Sequence, residues 1–239
     1  MIETQRLLID KNKEVTYHGE FYNKLNDTEQ WIRLSDGCFR DCWNCYCPKD
    51  KVSYGLPKIE RNKVVLLDMN FLWAYPDPLL AIAQLGCMRV NNKKIYYDFC
   101  CGLDFELLTQ PMCHILKMYR FGRFNNKRRF IPGLRLAWDR SFKEQRKLKR
   151  AIGMLLKAGY KPQNLQMFIL ANGAVPFEEC VMKLDLLKVW NIQVCDCWYD
   201  NQTRGNVKPE YWSKSECESF GKMCRTHNHL VNYGINPDI

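Results

Sequence analysis

Short β-branched or aromatic runs alternate along this chain with helix-length amphipathic segments. The runs predict strands over 31–35, 63–68, 94–99, 134–138, 165–170 and 192–198, with helices near 77–86, 104–121, 141–158 and 176–190. Pro176-Phe177-Glu178-Glu179 has the composition of a helix start, with proline in the first turn and acids at the positive end of the dipole. Gly159 is placed to cap the preceding helix. Strands alternating with helices imply parallel strands joined by right-handed crossovers. In such α/β sheets, ligands gather at the carboxyl ends of the strands.

Composition narrows the class. A chain of 239 residues with 46% hydrophobic side chains suits one domain with a substantial core. No internal repeat or low-complexity tract interrupts it. The start, Met1 to Arg6, lacks the basic and then apolar layout of a signal peptide. The most apolar stretch, Val64 to Leu85, is broken by Asp68, Asn70, Pro76, Asp77 and Pro78, so no membrane span is expected. Thirteen cysteines, an odd number in a long chain, argue against a disulfide scaffold and for a reducing cytoplasm. Most are read as small buried hydrophobes.

Three of them stand apart. Cys38, Cys42 and Cys45 follow the first strand with three and then two residues between them. Structural zinc and ferredoxin-type cubanes both recruit four protein ligands. Three thiolates on one tight loop suit a [4Fe–4S] cluster with one iron left open to a non-protein ligand. The spacing CxxxCxxC resembles the signature of the radical SAM enzymes. The resemblance implies that these three cysteines hold the cluster, whose fourth iron chelates the amino and carboxylate groups of S-adenosylmethionine. An electron from a reductant such as flavodoxin or ferredoxin then splits the carbon–sulfur bond, and a 5′-deoxyadenosyl radical abstracts hydrogen from substrate. It also implies an open (βα)6 partial TIM-type barrel of parallel strands over roughly residues 30–200, within a single domain 1–239. Residues 1–29 and 201–239 are then extensions. One departure is visible: Asn44, between Trp43 and Cys45, stands where the family carries an aromatic residue, which falls here at Trp43 and Tyr46.

The strand ends supply candidate cofactor contacts. Asp68 or Asn70, after the second strand, occupies the place where the family's Gly-Gly-Glu meets the methionyl amino group, although the glycines are absent. A strand-ending turn explains both residues equally well. Arg135 or Arg140 is a candidate for the methionyl carboxylate and Asp139 for the ribose, with helix capping as the alternative for Asp139. Asn172 is a candidate for adenine or ribose, and Asn-Gly is also an ordinary turn. Tyr199 can line the cavity or simply pack. Asp104 reads as a helix cap, and only one of Cys100 and Cys101 can face inward.

Cys195, Cys197, Cys217, Cys224 and His227 are considered as an auxiliary metal site, against ordinary packing, because no close knuckle pair is present downstream. Of the net charge of +10, Lys117 to Arg150 supplies thirteen Lys or Arg against Asp139 and Glu144. This segment is read either as a solvated helix face or as a patch for a nucleotide or nucleic acid. Two other classes therefore stand beside the enzyme: a zinc- and nucleic-acid-binding module, and a cluster protein that only passes electrons.

Overall fold

A computed structural model describes residues 8–9, 15–16, 22–40, 42, 45, 47–173, 175–198 and 212–233. The architecture is mixed α/β, with a largely parallel central sheet. Its six strands are β1 (Tyr22–Leu25), β2 (Gln30–Arg33), β3 (Lys63–Leu66), β4 (Tyr96–Phe99), β5 (Phe121–Phe124) and β6 (Phe130–Ile131), in the spatial order β6-β5-β4-β3-β2-β1. Strands β2 to β5 are parallel, and the antiparallel β1 and β6 close the two edges. A second, parallel sheet has the order β7 (Arg135–Ala137), β8 (Gln166–Ala171), β9 (Gln193–Trp198). The sheets meet where Leu103 N donates to Arg135 O at 2.8 Å and Ala137 N to Leu103 O at 3.2 Å. Small antiparallel ribbons pair Leu8–Ile9 with Val15–Thr16, Ser35–Asp36 with Val52–Ser53, and Arg89–Val90 with Lys93–Lys94.

Six α-helices pack around these sheets among the described residues: α1 (Phe71–Ala74), α2 (Pro78–Cys87), α3 (Gln110–Met118), α4 (Gln145–Lys157), α5 (Phe177–Val189) and α6 (Lys214–Tyr233). The strands read as near-continuous apolar runs because a parallel sheet is covered on both faces. Val64, Val65, Leu66, Tyr97, Phe99, Met167, Ile169 and Val194 all sit in the buried core. No described helix is long and apolar enough to cross a membrane.

All six expected strands are present within one or two residues of the expected bounds. Helix 104–121 is divided. Asp104 caps a single 3-10 turn, Phe105–Leu107, and Thr109 starts α3 afresh with its hydroxyl accepting from Met112 N at 3.4 Å. Pro111 is the cause: it lacks the donor that a continuous helix needs, and it is accommodated in the first turn of α3, where that donor is not used. The hidden element is β5, Phe121-Gly122-Arg123-Phe124, where a glycine and an arginine interrupt the apolar pattern of a fully buried strand. Helix α6 and the edge strands were not foreseen either.

The basic segment does not form one surface stripe. In α4, Leu148, Ala151, Ile152 and Leu155 face the core while Arg146, Lys147, Lys149 and Arg150 are exposed, the usual division of an amphipathic helix. Arg123 is buried, Arg135 pairs with Asp98, and Arg128 pairs with Glu29.

The C-terminus of α4 ends in a Schellman arrangement. Tyr160 N donates to Leu155 O at 3.1 Å and Gly159 N to Leu156 O at 2.9 Å, with Gly159 at φ +96°. A Cβ at this position meets nothing closer than Lys117 Cε at 3.7 Å, so any cost is backbone strain alone. Gly159→Ala should therefore lower stability by about 1–2 kcal/mol, read as a lower urea midpoint with an unchanged slope.

Candidate functional site

The cysteine loop leaves the end of β2 and returns to β3, closed at its base by the Ser35–Asp36 and Val52–Ser53 ribbon. Gly37 makes the turn into it with φ +111°. A side chain there would bring Cβ to 2.2 Å from Asp50 O, so the position demands glycine. Cys38 N then donates to Pro48 O at 2.9 Å, and Cys45 N to Cys42 O at 2.9 Å. Below the loop, Asp68 holds its root. The Asp68 carboxylate accepts from Ser35 N and Ser35 Oγ, each at 2.6 Å, and from Leu34 N at 3.2 Å.

These contacts gather Cys38, Cys42 and Cys45 around one cavity of about 170 Å³ at the carboxyl ends of β2, β3, β4 and β7. Arg40, Asn70, Cys101, Asp104, Asp139, Arg140 and Glu144 complete its polar lining. Cys38 is buried, Cys42 half-buried and Cys45 exposed. Burial, with Cys45 beside it, pushes the Cys42 thiol up to about 11. Asp41, Trp43, Asn44 and Tyr46 lie outside the described residues, as does Tyr199.

Asn70 is the central polar group of the cavity wall. Its Nδ2 donates to Cys38 Sγ and to Asp104 Oδ2, both at 3.2 Å. Its Oδ1 is buried and has no hydrogen-bond partner among the described residues. A buried amide oxygen without a donor costs about 1–3 kcal/mol, which a donor entering the cavity would recover. Asp104 also binds Arg40 of the cysteine loop in a bidentate pair, with Nη2 to Oδ1 at 2.6 Å, so Asp104 ties the loop to the end of β4. Arg140 spans Glu106 at 2.9 Å and Glu144 at the cavity rim. Burial raises the Asp139 carboxyl to about 6, against the pull of Lys183 and Arg140. Lys183 is itself fully buried and donates to Trp138 O at 3.2 Å and to Arg140 O, which fixes the backbone on either side of Asp139.

The expected cofactor contacts divide. Asn70 and Asp139 line the cavity with the three cysteines. Asp68 does not: its acceptor oxygens are occupied by the backbone of Leu34 and Ser35. Arg135 turns away into a different cavity, held by Asp98. Asn172 adopts φ +55° just after β8, with its Oδ1 buried and unpartnered, and is not among the residues lining the cysteine cavity. Sequence reasoning singled out Asp104 only as a cap, a role it does fill, and did not consider Arg40. Their pairing across 64 residues leaves no local signature.

Among the described residues, no three His, Cys, Asp or Glu side chains are grouped so as to hold a single metal ion. The suggested auxiliary set does not group around one point among the described residues: Cys195 and Cys197 interact with each other, Cys224 is in the core, and His227 Nε2 lies 2.6 Å from Ile192 O. No protein-family model matches the chain, and no curated protein matches it in sequence.

The buried Asp68 has a consequence for stability. Desolvation outweighs its hydrogen bonds to Ser35 and Leu34 and raises its carboxyl from 3.8 to about 6. The folded state thus binds this proton more tightly than the unfolded chain, and stability falls as pH rises from about 4 to about 6. Asp68→Asn keeps the Oδ1 acceptor without the charge. It should remove this slope, worth up to about 3 kcal/mol above pH 6, in denaturation curves taken across that range. Asp68→Ala, which strands the Ser35 and Leu34 donors, should instead destabilise by about 2–4 kcal/mol.

Proposed function

We propose that the chain is a radical SAM enzyme, with the open partial (βα)6 barrel of that family as the finer description of its α/β fold. The observation that carries this reading is the convergence of Cys38, Cys42 and Cys45 with the unpartnered Asn70 Oδ1 on one cavity at the carboxyl ends of parallel strands. The donor set fits a [4Fe–4S] cluster better than a single ion, because a cubane takes each thiolate on a different iron and needs no convergence on one point. When bound, cluster and S-adenosylmethionine supply, with one electron from a reductant, methionine and a 5′-deoxyadenosyl radical for hydrogen abstraction.

The chain's own residues divide the remaining work. Cys38, Cys42 and Cys45 would hold the cluster. Asn70 presents Oδ1 as acceptor for the methionyl amino group, while its Nδ2 stays bonded to Cys38 Sγ and orients the amide. Arg140 at the rim is the cation available to the methionyl carboxylate, by exchange with its present partners Glu106 and Glu144. Asp139, held between the Lys183-anchored carbonyls, offers its carboxyl to the ribose hydroxyls. Arg40 and Asp104 keep the loop attached to the sheet, and Phe105 and Met69 add apolar wall that excludes water. Pockets that enclose a whole ligand run to about 300–1,000 Å³. At about 170 Å³ this cavity is smaller than that, so part of a bound cofactor would lie outside it.

The zinc- and nucleic-acid-binding alternative draws less support. Its donors are not grouped around one ion, and its basic residues divide between the core, ion pairs and the outer face of α4.

Anaerobic reconstitution with iron and sulfide, reduction with dithionite and addition of S-adenosylmethionine should yield 5′-deoxyadenosine. Cys38→Ala, Cys42→Ala and Cys45→Ala should each abolish it. Asn70→Ala should weaken S-adenosylmethionine binding about ten-fold, the worth of one buried hydrogen bond, while product still forms at saturation. An intact four-iron cluster that releases no 5′-deoxyadenosine would refute the reading.

A further inference from the structure

A second cavity, of about 800 Å³, lies between the two sheets and is lined from both. It is separate from the cysteine cavity: Cys100 lines this one, and the next two residues, Cys101 and Gly102, line the other. Its charged lining is Arg123, Lys127, Arg128 and Arg135 with one carboxylate, Asp98, and Arg128 is paired with Glu29. Arg135 is bonded to Asp98 Oδ1, and Asp98 Oδ2 accepts from Phe124 N at 2.9 Å, so Asp98 has both oxygens engaged. Arg123 has no carboxylate of its own among the described residues. It is 7% exposed, donates through Nη2 to Gln193 Oε1 at 2.7 Å, and leaves a buried Nε without a hydrogen-bond partner among the described residues.

This is an unusual state for a folded chain. A guanidinium does not give up its proton, and burying it without a counter-charge costs several kcal/mol. Burial, with the like charge of Arg135 adding to it, pulls the pKa of Arg123 down. Nor is Arg123 left to wander. Gln193, its one partner, is anchored through Nε2 to Gln163 O at 2.7 Å and to Asn232 Oδ1 at 2.9 Å. The guanidinium is thereby held in one orientation, as a recognition group for a planar or tetrahedral oxyanion must be. Trp31, Phe124 and Phe168 provide apolar wall alongside. The volume falls within the range of about 300–1,000 Å³ typical of small-molecule sites.

We propose that this cavity binds a small molecule through a carboxylate or phosphate group held by Arg123, beside the charge of the Asp98-paired Arg135. The assignment is independent of the cysteine cavity and of any chemistry performed there. Water filling the cavity would also hydrate Arg123, and the following experiment separates the two.

Thermal unfolding of the full chain is followed in inorganic phosphate, in acetate and in chloride at matched ionic strength. Phosphate or acetate should raise the midpoint by about 2–4 °C over chloride once it exceeds its dissociation constant about ten-fold. Whichever of the two acts identifies the oxyanion class. Arg123→Met should abolish that shift, and its midpoint in chloride should equal or exceed that of the wild type, because an uncompensated buried charge has been removed. If Arg123→Met does not fold, Arg123→Lys takes its place. It keeps the charge without the planar fork and should weaken the oxyanion at least ten-fold. A wild type whose midpoint is the same in all three salts, or an Arg123 variant that keeps the full shift, overturns the proposal.

Discussion

The cysteine loop depends on a single buried carboxylate. Asp68, at the end of β3, accepts from the backbone and hydroxyl of Ser35 and from Leu34, and so fixes the point at which the chain leaves β2. Everything above it is assembled by reference to that point: the Ser35–Asp36 ribbon, the Gly37 turn, and the burial of Cys38 against Asn70. Carboxylates resist burial, and this one is raised to about 6 by desolvation. Its retention makes sense because no apolar side chain could satisfy the same three donors.

A chain of ion pairs performs the equivalent task on the other side of the cavity. Arg40 joins the loop to Asp104 and reaches Glu106 at 3.3 Å, and Glu106 is shared in turn with Arg140 and Lys147. The Arg40–Asp104 pair is well shielded, so its bidentate geometry matters more than the exposed Lys147 contact does. Lys183 adds a buried cation whose donors are spent on the carbonyls flanking Asp139. The cavity is thus bounded by fixed charges at the sheet ends and by a loop held at its base by the Ser35–Asp36 and Val52–Ser53 ribbon and at Arg40 by Asp104.

The same economy of charge makes the cavity between the sheets stand out. Other cations near the sheets have partners: half-buried Arg135 has Asp98, half-buried Arg128 has Glu29, and buried Lys183 has two carbonyls. Arg123 has one neutral amide. The contrast within one molecule, rather than the exposure of any single residue, marks that cavity as a place prepared for an anion.

Local pattern was enough for the alternation of strands and helices, the Gly159 cap, the cap at Asp104 and the grouping of the three cysteines, since each is written within a few neighbouring residues. The sequence also pointed to Asn70 and Asp139 as strand-end polar groups. It could not rank them against Asp68 and Arg135, because the four have similar local settings. What separates them is long-range: Asp68 meets residues 34–35, Arg135 meets Asp98, and Asn70 meets Cys38 and Asp104. Strand β5 was hidden for a related reason. Its arginine is buried only because Gln193, 70 residues away, receives it. Periodicity and turn chemistry mark which segments can become strands, helices and thiolate loops. Which polar side chains hold the fold and which face a cavity unspent follows from three-dimensional packing, since a hydrogen-bond partner distant in the chain leaves no mark on local composition.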